Sequence, residues 1–418
     1  MTQFLNAIMP SSIRWENILR LCEHVKIRLE KYGVSSSIVD AVLQIDRPVK
    51  PMRLRIDEQW EESFSKYSQA RSVTFDDQLR VLVHNNSVEV LVALLSSGLA
   101  VTPDQYFLTD DAGNTVTIGP ASAMFSLAFF DSPAYDNFFE TRVRKRIFDS
   151  PISTRSFNNL IWEPRTAAYS HKGRKVPADL QSRAEKAVRR SLFKIAVEHH
   201  DCWSIWKPRA PRVKIANAVG PTEKLSIPSA DYDENVVSYY KVAKSSPFPS
   251  QSFLSYYHVL EYYFLTISEL VLHDRLTSIL NDPRVKNKDI VEKAISAVRS
   301  QDARSDETEL LRSVLDRFVQ EADLISFIDE LEKQIGEKIY TKKRNVFGEQ
   351  LQIVAMKDHA LANSAKVLKY IRNAIVHSSD RYKREDRHVP LSDTEDTIGE
   401  FIPLVRFFAE KVIFGTAK

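Results

Sequence analysis

The stretch Ile371-Arg372-Asn373-Ala374-Ile375-Val376-His377-Ser378-Ser379-Asp380 decides how the C-terminal half of the chain is read. Leu361, Leu368, Ile371 and Ile375 recur at separations of seven, three and four. That period predicts an amphipathic helix over about 357–378, with this stretch as its last turns. Residues four apart share a helix face, so Asn373 and His377 can meet there, and Arg372, one residue round, can aim at the same point. A guanidinium grips phosphate oxygens through two parallel hydrogen bonds, and an imidazole with an ordinary pKa of about 6.5 exchanges a proton near neutrality. An Arg, an Asn and a His at one helix end therefore suit work on a phosphodiester.

The spacing alone is not selective. Of the ten histidines, three have an Arg five to seven positions upstream: His171 with Arg165, His377 with Arg372 and His388 with Arg381. Only Arg372 is followed by Asn and lies in a periodic helix. Earlier in the same half, Phe253-Leu254-Ser255-Tyr256-Tyr257-His258-Val259-Leu260-Glu261-Tyr262-Tyr263-Phe264 opens a helix whose core stripe is Phe253, Tyr257, Leu260, Phe264, Ile267 and Val271. Glu261 falls beside that stripe. A carboxylate near an apolar face needs a partner. Two readings stand: Glu261 pairs with Arg372, or with a structural Arg or Lys at the edge of the core.

An Arg, a polar residue and then a His at the end of a helix, in an all-helical domain, resembles the signature of HEPN-domain ribonucleases. The region from Phe253 to His377 resembles the ApeA-like branch of that superfamily, over roughly residues 250–418. The resemblance implies a HEPN-type antiparallel helical bundle and a metal-independent endoribonuclease without a cofactor. In it the ribose 2′-OH attacks the adjacent phosphate and leaves a 2′,3′-cyclic phosphate. It further implies His377 as general base or acid, Arg372 as the group that neutralises the phosphorane, and Asn373 as the residue that orients His377 or the phosphate, with Glu261 and Tyr257 in support. A homodimer or higher oligomer would bring two copies of the motif together across a cleft. Arg381, Lys383, Arg384 and Arg387 would line that cleft and hold RNA, or else form a solvated loop. The ApeA-like likeness implies antiviral, abortive-infection defence, with a phage-derived trigger sensed by the N-terminal domain.

Other readings of the same residues remain open. An Arg at a helix end can pair with Glu261, Asn is a common C-terminal cap, and a His in the last turn complements the helix dipole. On that reading the bundle is a dimerising or RNA-binding module without catalysis. A transcriptional partner would need a helix-turn-helix signature, and none is legible.

Composition fits both. The 418 residues are 43% hydrophobic and 27% charged, with only 10 Gly, which predicts a helix-rich globular chain of two domains. A formal net charge of +3 neither demands nor excludes an anionic partner. Cys22 and Cys202 supply no disulfide framework. His199-His200-Asp201-Cys202 has no second ligand pair at a usual spacing, so no metal is expected. Apolar runs such as Val88–Leu95 and Ala121–Phe130 are too short to cross a bilayer, and Met1-Thr2-Gln3-Phe4 does not open a secretory signal. The expected setting is cytoplasmic, with no membrane partner.

In chain order, a helix is expected over 12–32, and β-rich stretches over 73–83 and 88–95 around the turn-forming Asn85-Asn86, the second being strand or short buried helix. Asp110–Asn114 is a turn before the alternating Thr115–Ile118. A helix over about 178–198 completes an α+β N-terminal domain, with Trp203 and Trp206 as anchors between elements. Arg142–Arg146 is basic and reads mostly as a solvated helix face. Ser245-Ser246-Pro247-Phe248-Pro249-Ser250 marks the boundary between a sensing domain, 1–244, and the helical bundle, 245–418. The chain as a whole is thus expected to be mainly α. Within the bundle, helices are expected near 287–300, 307–320, 323–340 and 393–414, the last kinked by Pro403.

Overall fold

A computed structural model of the chain describes residues 11–40, 42–48, 50–56, 58–70, 72–97, 103–149, 153–157, 160–161, 163–208, 229–284, 286–303, 306–377 and 388–417. The chain divides into two compact units, Met1–Pro208 and Arg209–Lys418. The first unit is α+β and the second mainly helical. No helix among the described residues is long and apolar enough to cross a membrane.

The first unit runs α1 (Ser11–Lys31), β1 (Ser36–Val39), β2 (Val42–Ile45), β3 (Met52–Arg55), α2 (Glu58–Gln69), β4 (Val73–Asp76), β5 (Val81–His84), β6 (Ser87–Ser97), β7 (Tyr106–Thr109) and β8 (Thr115–Pro120). It continues with α3 (Ala123–Asp131), α4 (Ala134–Phe138), a π-helical turn (Phe139–Val143), α5 (Arg144–Phe148), β9 (Thr154–Ser156), β10 (Arg165–Ser170), α6 (Leu180–Glu198) and β11 (Asp201–Ile205). Strand β6 organises the larger sheet, in the order β4-β5-β6-β10-β8-β7, and its far half pairs with β11. Asn85-Asn86 is the two-residue turn of the β5–β6 hairpin, with His84 opposite Ser87 and Asn85 at φ 51°. Val88–Leu95 is therefore strand, whereas 73–83 is two strands that double back at 77–80 rather than one.

Helix α6 lays Leu180, Ala184, Val188, Leu192 and Ile195 against this sheet. A second core gathers α1, the β1-β2-β3-β9 sheet and the Phe-rich α3 and α4. Trp203 packs on the first cluster and Trp206 on the second, as expected of anchors.

The second unit runs α7 (Glu234–Ser245), α8 (Pro249–Glu261), α9 (Phe264–Asn281), α10 (Asn287–Ala303), α11 (Glu307–Phe318), α12 (Glu321–Ile335), β12 (Arg344–Val346), β13 (Glu349–Leu351), α13 (Ala360–Val376) and α14 (Thr394–Gly415). Helix α8 packs along α14, with α7, α11 and α13 around it. Three expectations need correction. The 244/245 boundary falls inside this unit, because α7 buries Val236 and Ala243 in the same core as α8, and Ser252 Oγ donates to the Ala243 carbonyl at 2.7 Å. The helix opening the bundle is not continuous from 253 to 271: it stops at Glu261, where the Tyr262 and Tyr263 amides close back on His258 and Leu260 and Tyr263 leaves helical geometry. The half is not all helix, since Phe347 and Gly348, at φ 50° and 83°, turn a short hairpin between β12 and β13. Pro403 lies within α14, which is helical on both sides of it.

Candidate functional site

Helix α13 is positioned from both ends. Its first amides are satisfied from α12, whose Glu321 carboxylate accepts from the Asp358 and Leu361 N–H groups at 2.6 and 3.2 Å. Its inner face, Leu361, Ala365, Leu368 and Ile371, is buried in the core, and Tyr370 Oη donates to the Phe347 carbonyl of the β12–β13 hairpin. The helix ends where the His377 amide donates to the Asn373 carbonyl at 2.8 Å and His377 itself leaves helical geometry.

This fixes Arg372 five residues before the exposed His377. The Arg372 side chain is 26% exposed and lies between two carboxylates. Its Nη2 donates to Glu261 Oε1 at 3.3 Å, and its Nε stands 3.5 Å from Glu307 Oε1. Nη1 donates to Asn373 Oδ1 at 3.1 Å, so the amide's oxygen is turned toward the guanidinium. Tyr257 Oη donates to Glu307 at 3.0 Å, and burial pushes the phenol well above its ordinary pKa, keeping it a neutral donor. Burial likewise raises the Glu261 carboxyl, more than His258 and Arg372 lower it; His258 Nε2 is 3.6 Å from Glu261 Oε2.

Of the two readings for Glu261, the pair with Arg372 is the one present, and Tyr257 belongs to the same cluster through Glu307. Glu307 was not singled out by sequence reasoning. It stands in Asp306-Glu307-Thr308-Glu309, which reads as the acidic first turn of a helix, and α11 does start there. Lys369, one turn before Arg372, clamps the same helix start by donating to Asp306 and Thr308. His258 was also missed; its only signal is its place three residues before Glu261. Arg381, Lys383, Arg384 and Arg387 lie outside the described residues.

Chemically the cluster offers an anchored guanidinium and an amide; the exposed His377 imidazole lies at the end of α13, five residues beyond Arg372. With two carboxylates around one guanidinium, the cluster carries one more negative than positive charge. Among the described residues no group of three or more His, Cys, Asp or Glu could hold a metal ion. Comparison of the chain with protein-family models, with curated proteins and with solved structures finds no match.

Proposed function

We propose that the second unit is a HEPN-type, ApeA-like bundle that cleaves RNA. The observation that carries this reading is the exposed His377 at the end of the helix whose last turns hold a half-buried, pre-oriented Arg372, five residues earlier. Once a phosphate has displaced one of its carboxylates, a guanidinium already held in place needs little reorientation of its own as charge develops. In the reaction, His377 of one protomer takes the proton from the 2′-OH as its oxygen bonds to phosphorus. The P–O5′ bond breaks, and the departing oxygen takes a proton from the His377 of a second protomer. The products are a 2′,3′-cyclic phosphate and a 5′-hydroxyl. Arg372 neutralises the phosphorane oxygens, and Asn373 holds the Arg372 fork in place. The active species is a homodimer or higher oligomer joined through this unit. The protein acts in the cytoplasm as an antiviral effector whose first unit senses a phage-derived component.

The double engagement of Arg372 favours a second reading, in which Arg372 is a structural clamp and the bundle binds without cutting. The two separate on a pair of variants. Labelled RNA incubated with wild type, Arg372→Ala and His377→Ala is expected to yield cyclic-phosphate ends only with wild type, each variant losing at least about 10²-fold in rate. Because His377 is exposed, His377→Ala leaves thermal stability unchanged. Equal cleavage, or equal inactivity, of all three proteins under activating conditions supports the binding module instead.

A further inference from the structure

The first unit carries a basic surface that the cleavage reading does not use. Between Lys172 and Lys194 stand eight Lys or Arg residues against Asp179 and Glu185, although the whole chain is only +3. The stretch is thus +6 and the remainder of the chain −3. Most of them lie on α6. Since its Leu180–Ile195 side is buried against the sheet, the opposite side faces solvent. Along it run Lys186, Arg190, Phe193 and Val197, at separations of four, three and four, which form one stripe about 16 Å long.

Two properties set this stripe apart from an ordinary solvated helix face. Arg183, Arg189 and Lys194 are each neutralised one turn away, by Asp179, Glu185 and Glu198. Lys186 and Arg190 make no ion pair with a described residue, and Arg174 and Lys175, exposed in the turn that leads into α6, add to their field. Beside these cations Phe193 is 71% exposed and Val197 58% exposed. An aromatic ring left in water next to cations outside any ion pair is the pairing that single strands use: cations hold the phosphates and the ring stacks on a base.

We propose that the outer face of α6 binds single-stranded nucleic acid, through Lys186 and Arg190 on the backbone and Phe193 on a base. An anionic membrane is the poorer fit. Membrane-surface helices need a broad apolar side, and that of α6 is committed to the sheet, leaving only Phe193 and Val197. The inference does not rest on cleavage, because binding is read without turnover.

The test uses the full chain and fluorescence anisotropy of a short labelled oligouridylate across a salt series, with oligothymidylate, a duplex of equal length and phosphatidylserine vesicles as further arms. Lys186→Glu/Arg190→Glu is expected to weaken binding at least tenfold and to flatten the salt slope by about one and a half. Phe193→Ala is expected to weaken it by about fivefold to a hundredfold with the slope unchanged. Lys241→Glu/Lys244→Glu, exposed on α7, is expected to change neither. Equal weakening by both charge reversals overturns the site in favour of diffuse attraction. So does an unaltered Phe193→Ala, a preference for duplex, or capture by vesicles but not by either oligonucleotide. Loss of cleavage in His377→Ala with binding intact leaves the inference standing, which keeps its failure separate from that of the nuclease reading.

Discussion

Arg372 shows how much of one residue's environment a sequence carries. Its partnership with Glu261 was legible, because a carboxylate beside an apolar stripe must be compensated. Its second carboxylate was not, since Glu307 lies 65 positions upstream in a stretch that local rules assign fully to a helix start. Long-range convergence leaves no mark on either stretch alone. The pair has a pH signature. Burial raises the Glu261 carboxyl above its unfolded value of about 4.3. The stability linked to this group is complete below that value and is lost as the pH rises through the folded pKa. Glu261→Gln removes the dependence, so from about pH 4 to about pH 7 the wild type should lose ground against the variant in urea midpoints. Parallel curves would show that desolvation of this carboxyl is too weak to matter.

At the scale of elements, the strongly periodic helices and the Asn85-Asn86 hairpin were readable, and the failures were at junctions. The stop at Tyr262-Tyr263 lies inside an unbroken apolar pattern with neither Gly nor Pro. Tertiary contacts accompany it: α9 packs on α10 and α11, Tyr262 Oη donates to Asp233 and Tyr263 Oη bonds Thr416. Another junction, where the chain enters α14, is held by His388. The ring is 2% exposed, its Nδ1 lies 3.0 Å from Thr394 Oγ1, and its Nε2 is 3.5 Å from Glu395. Glu395 in turn accepts from the Ser250 amide and hydroxyl at the start of α8. Burial lowers the His388 pKa, against the pull of Glu395. A histidine that must fold neutral contributes stability that is complete above its unfolded pKa of about 6.5 and is lost as the pH falls through the folded one. His388→Gln is therefore expected to flatten the decline in urea midpoint below about pH 6.5 that the wild type shows. If wild type and variant decline alike, the junction does not sense protons.

For the whole molecule, the sequence announced two domains and misjudged where they part. Prolines and serines at 245–250 looked like a linker, yet they only bend the chain between α7 and α8, whose side chains meet in one core. Among the described residues the buried members of that core run from Val236 to Ile413, with Tyr232 packed against them. A fragment of residues 229–418 should accordingly unfold in urea as one cooperative transition. A fragment of 245–418, stripped of the buried Val236 and Ala243 and of the Tyr240–Glu410 hydrogen bond, should be less stable by at least about 2 kcal/mol. Equal midpoints for the two would return the division to the proline-rich turn.

The position of Arg372 between Glu261 and Glu307 also bears on how any anion could reach it. A guanidinium whose field is already cancelled exerts little pull from afar, so an arriving phosphate is not drawn in by this residue but has to supplant a carboxylate that occupies the fork. Engagement there is an exchange of counter-ions. Its tempo is set by how readily the opening turn of α11, tethered also by Lys369, yields its hold.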